Sequence, residues 1–128
     1  MNELNKKRPD SFKDYPKGAI NNAKRAIEWA EKNGWGSCGT GVGKQRAHQL
    51  AKGEGLSWET VKRMAAFRRH QKNKDTPYSE GCGGLMWDAW GGDAGVRWAE
   101  ARVKEYSDKK NLLIEALDNV INMFSKKV

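Results

Sequence analysis

Cys38, His48, His70 and Cys82 are the soft metal ligands and the thiol nucleophiles of the chain. Zinc modules need a close Cys pair or a close His pair to fix a tetrahedral centre, and neither spacing occurs. A Cys-His nucleophilic pair would draw on Cys38, which sits in a glycine loop, but no third group is placed to orient the base. Asp88 and Asp93 are the acidic pair closest to an aromatic segment, and Asp93 stands where a helix N-cap belongs. No metal, no cofactor and no catalytic residue is expected, so the sequence reads as a non-enzyme. The two cysteines are too few for a disulfide scaffold; they fit thiols in a reducing compartment, with a Cys38–Cys82 disulfide as the lesser alternative.

The remaining chemistry is cationic. The 128 residues carry a formal charge of +8. Residues 1 to 56 hold 11 basic and 6 acidic groups, 57 to 80 hold 6 and 3, and 81 to 128 hold 7 and 7. A basic half joined to a balanced one suits a polyanion, DNA or RNA, gripped through phosphates. Lys44, Arg46, Lys62, Arg63, Arg69, His70 and Lys72 are the expected contacts, with Trp58 at the edge. The loop GTGVGKQR lacks the first glycine and the hydroxyl residue of a nucleotide-hydrolysing loop. It retains helix-terminal amides beside Lys44 and Arg46, which suit an anion.

These side chains need helices to position them. Ile20, Ala23, Ala26, Ile27 and Ala30 recur at steps of three and four, predicting an amphipathic helix from about Lys17 to Asn33 that stops at Asn33-Gly34. A short helix is expected from about Gly43 to Lys52. A third, N-capped by Ser57, should run to about Lys72 with Trp58, Val61, Met64, Ala65 and Phe67 inward and Lys62, Arg63, Arg69 and His70 outward. Arg68 projects toward the apolar side and should snorkel or pair with a carboxylate. Ala51, Gly55, Leu56, Ser57, Thr60, Val61 and Arg63 fall where a helix-turn-helix places its small residue, turn glycine, plug, cap and buried β-branched residue. Glu54, Gly53 and Trp58 depart from that pattern.

Residues 1 to 16 form a polar arm that either packs extended through Phe12 and Tyr15 or stays mobile. Residues 17 to 128 form one helical domain, with its core in 17 to 106 and an amphipathic helix at 109 to 125. Gln71 to Gly84 reads as a polar connector, Leu85 to Trp90 as a short apolar element, and Asp93 as the cap of a helix reaching about Tyr106. The expected architecture is all-α, a compact bundle of about five to six short helices with glycine-rich loops, its six tryptophans supplying much of the core. The terminal stripe of Leu113, Leu117, Val120 and Phe124 serves either the core or self-association into a homo-oligomer. No membrane span or secretory signal is evident.

The segments NAKRAIEWAEKNG, VGKQRAHQLAKGEGLSWETVKRMAAFRRHQKNK and CGGLMWDAWGGDAGVRWA together resemble a small domain encoded by many tailed bacteriophages, alone or joined to head-morphogenesis proteins such as prohead proteases. The resemblance runs from about Asp14 to Val103 and rests chiefly on the RM…RH and WGGDAG stretches. It implies a phage origin and residence in the host cytoplasm or the virion, and it carries no site residues. Two functions follow as expectations: nucleic-acid binding through the basic half, or a head-assembly role through contacts with capsid or portal proteins.

Overall fold

The computed structural model describes residues 8–38 and 41–108. Five α-helices account for most of them: α1 (Lys17–Asn33), α2 (Gly41–Ala51), α3 (Trp58–Ala66), α4 (Cys82–Ala89) and α5 (Gly92–Val103). A 3₁₀ turn at Gly36–Cys38 precedes α2, a longer 3₁₀ helix at Phe67–Asn73 continues α3, and a π-helical turn at Lys104–Asp108 continues α5. The fold is all-α, as expected. Among the described residues no strand forms, and no helix is long and apolar enough to cross a membrane. The predicted helix at 109 to 125 lies outside the described residues.

Helix α1 is the hub, packing against α2, α4 and α5, while α3 packs chiefly against α5. Its bounds match the expected ones, and the Gly34 N–H closes it on the Ala30 carbonyl at 2.6 Å. The buried stripe, however, is Ala19, Ala23, Ala26 and Ala30, with Ile20 and Ile27 only half-buried beside it. Small side chains are needed there because α5 comes very close. A Cβ on Gly18 would stand 2.9 Å from Ala94 Cβ, and one on Gly95 would stand 3.5 Å from Ala19 Cβ. Alanine and glycine let the backbones approach, which the hydrophobicity of isoleucine does not reveal.

The described part of the arm packs extended. Phe12 and Leu56 exchange two backbone hydrogen bonds of 2.8 Å, forming an isolated antiparallel bridge. The buried Phe12 ring meets those of Trp58, Trp98 and Tyr106, and the Tyr15 hydroxyl donates to the Glu54 carbonyl at 2.7 Å. Phe12 and Tyr15 are therefore core residues, and the helical domain includes the end of the arm. Trp87, Trp90 and Trp98 are buried, and Trp29, Trp35 and Trp58 pack against the core from its edge.

Ser57 caps α3, its hydroxyl accepting from the Thr60 N–H at 3.2 Å. Replacing it by alanine strands that donor, and the expected loss is about 1 kcal/mol of unfolding free energy, measured by chemical denaturation. Asp93 does not cap α5. Gly91 occupies that position, and the Asp93 carboxylate instead accepts from Trp87 Nε1 at 2.9 Å and Lys74 Nζ at 3.1 Å.

Candidate nucleic-acid interface

The geometry departs from a helix-turn-helix. That motif packs its two helices directly on each other around a tight turn. Here α2 leans on α1, α3 leans on α5, and the arm is hydrogen-bonded to Leu56 between them. The positive-φ glycine is Gly53 (φ 70°), whereas Gly55 is the site where a Cβ would collide with Ser11 Oγ. Gly55 therefore admits the arm and is not the turn residue the motif demands.

The change of winding after Ala66 decides which cations share a face. An α-helix advances about 100° per residue and a 3₁₀ helix about 120°. Lys62, Ala66, Arg69 and Lys72 consequently fall into one exposed row, with Arg63 beside it toward α2. His70 swings out of the row. It lies three residues after Phe67, and in the 3₁₀ segment that spacing brings the two rings together, tilted by 50° with centroids 4.7 Å apart. His70 Nε2 accepts from Arg69 Nε at 3.3 Å, so that nitrogen orients a neighbour and is not turned to a phosphate. The expected outward face, drawn at one constant pitch, is corrected in this respect.

Carboxylates neutralise some cations and leave others. Arg68 forms a two-pronged pair with Glu100, at 3.1 and 2.5 Å, as its inward projection predicted. That pairing holds the Arg68 guanidinium above its ordinary range. Lys62 lies 3.0 Å from Glu59, Lys74 is paired with Asp93, and Arg102 bridges Asp14 and Glu105. Arg63, Arg69 and Lys72 are exposed and have no carboxylate partner among the described residues, and half-buried Lys44 near the start of α2 has none either.

Arg46 is not at the surface. Only 5% exposed, it lays its guanidinium over the Trp90 ring at 5.1 Å and donates through Nη1 to Gln49 Oε1. Burial, and secondarily the nearby Arg63 charge, lower its pKa from the ordinary value. The predicted anion site at the start of α2 therefore loses one of its two cations. Trp58 is half-buried against Phe12 and Tyr106, with Arg8 4.8 Å above its ring and Lys62 5.9 Å away. Arg8 is an interface candidate the sequence did not single out; the basic run before Pro9 was its signal. Beyond Lys62, the row borders a wide depression of about 660 Å³ lined by Ala65, Ala66, Glu100, Val103 and Lys104.

Cys38 and Cys82 form a disulfide, with Cα atoms 5.3 Å apart. The favoured expectation of two thiols is overturned, and the disulfide alternative is the one found. The glycine loop returns to the N-terminus of α4 through tertiary packing that a spacing of 44 residues conceals. Neither sulfur is left as a thiolate nucleophile or zinc ligand. Among the described residues no group of three or more His, Cys, Asp or Glu side chains could hold a metal. Asp88 is also committed: it accepts from the Tyr78 hydroxyl and lies 3.8 Å from Arg25, while burial pushes its pKa up.

No family model matches the chain, and neither the curated proteins nor the solved structures contain a match to it.

Proposed function

We propose that the protein is a non-enzymatic nucleic-acid binder that grips phosphates through the exposed row of Lys62, Arg69 and Lys72, with Arg63 beside it. Lys44 and, at the edge, Arg8 over Trp58 extend the contact. The observation that carries this is the unneutralised state of the exposed Arg63, Arg69 and Lys72, whereas Arg68, Lys74 and Arg102 are matched with carboxylates. The row reads charge, not bases, because α3 is packed along α5 and its first residue, Trp58, is held by aromatic neighbours. The partner is DNA or RNA. The resemblance of these segments to a tailed-phage domain makes a phage genome the natural polyanion.

Binding to duplex DNA, single-stranded DNA and RNA, followed by fluorescence anisotropy over a salt series, tests this. Neutralising about five phosphates gives a log-log slope of about −4.5 on duplex DNA and a loss of roughly 500-fold between 50 and 200 mM salt. The Arg63→Ala, Arg69→Ala double variant should flatten the slope by about two while leaving the melting temperature in place, since both side chains are exposed. A salt-independent affinity, or no binding at low salt, sinks the proposal.

A further inference from the structure

We propose that Arg46 and Arg63 form a binding site for one phosphate group, set between α2 and α3 beside the basic row. Arg46 carries the case. A guanidinium keeps its proton throughout the physiological range, so its burial cannot be relieved by neutralisation. A buried charge is tolerated when a counter-charge and hydrogen bonds replace water. Arg68 and Arg102 have carboxylates. Arg46 has none among the described residues; its partners are the neutral Gln49 amide and the Trp90 ring, and its Nε, like that of Arg102, is buried without a hydrogen-bond partner.

Arg63 worsens this arrangement unless something negative lies between the two. The two charges repel, and both lower-energy alternatives, a carboxylate or withdrawal of Arg46 into solvent, are absent. Arg63 is held alongside by the helix itself. Phe67, four residues on and on the same side of α3, stacks on the same Trp90 ring as Arg46, at 5.1 Å. The stack of Arg46, Trp90 and Phe67 thus fixes one guanidinium, and Arg63, about one turn before Phe67 on α3, is near enough for its charge to act on it. Two planar forks with five donors each suit the several oxygens and double charge of a phosphate better than a single carboxylate.

On the nucleic-acid reading the occupant is one backbone phosphate, and in that respect the inference rests on that reading; inorganic phosphate as probe allows the two to fail separately. Thermal melting is followed while sodium phosphate replaces sodium chloride at constant ionic strength. The expected result is a rise in Tm that saturates at low millimolar phosphate. The Arg63→Gln variant, whose exposed side chain is not needed for folding, should weaken apparent phosphate affinity about tenfold. Arg46→Lys, which keeps the charge and loses the fork, should weaken it as well. A short oligothymidylate that competes for the site identifies a backbone phosphodiester as the occupant; saturable phosphate binding without competition identifies the free ion. Equal melting in both salts, an equal response to acetate, or an unchanged response in Arg63→Gln overturns the site.

Discussion

Reduction of the Cys38–Cys82 disulfide should lower the stability of the fold by about 4 kcal/mol. The bond closes a loop with a sequence separation of 44. In the chain-entropy model, a cross-link of that span removes about 4 kcal/mol of conformational freedom from the unfolded ensemble. The loop contains α2, α3 and the 3₁₀ helix, so the restraint falls on the segment that bears the basic row. Denaturant unfolding with and without a dithiol reductant measures the difference. The Cys38→Ser, Cys82→Ser variant should unfold at the reduced protein's midpoint and be insensitive to reductant. An unchanged midpoint on reduction would show that the bond does not restrain the unfolded chain.

Replacement of Gly91 by alanine should cost about 3 kcal/mol, a fall in Tm on the order of 10 °C for a domain of this size. Two effects add. Gly91 has φ 100°, a conformation in which an L-residue is strained by about 1–2 kcal/mol. A Cβ there would also stand 2.9 Å from Gly95 Cα within α5 and 3.4 Å from Ala19 Cβ of α1. Overpacking of that kind adds about 1–3 kcal/mol. The Asn22 amide, which donates to the Gly91 carbonyl at 2.9 Å, would be displaced with it. Scanning calorimetry reads the shift. A loss below about 1 kcal/mol would mean that the helices separate freely, contrary to the tight packing of this junction.

Local signals in the sequence were legible where they act locally. The period of α1, its stop at Gly34, the Ser57 cap and the inward turn of Arg68 follow from residues within a turn or two of each other. What escaped depends on distant partners. Asp93 has the side chain of a cap, but Trp87 and Lys74 compete for its oxygens and Gly91 already supplies the turn. Arg46 looks like a surface cation until Trp90, 44 residues away, offers its ring. His70 falls on the exposed face only at a uniform helical pitch, and the winding tightens after Ala66. The pairing of Cys38 with Cys82 is long-range in the same way. The charge asymmetry of the chain survives all of these corrections, since composition does not depend on packing.

The Phe12–Leu56 bridge has a consequence for the order in which the protein is made. Phe12 leaves the ribosome ahead of the rings that enclose it, which belong to Trp58, Trp98 and Tyr106. At roughly 5–20 residues per second, synthesis takes about 4–17 s to proceed from Phe12 to Trp98. Throughout that interval the arm has no complete pocket, and α1 lacks the helix that covers its alanine stripe. The fold therefore closes only once α5 has emerged, and Phe12 is buried long after it is made.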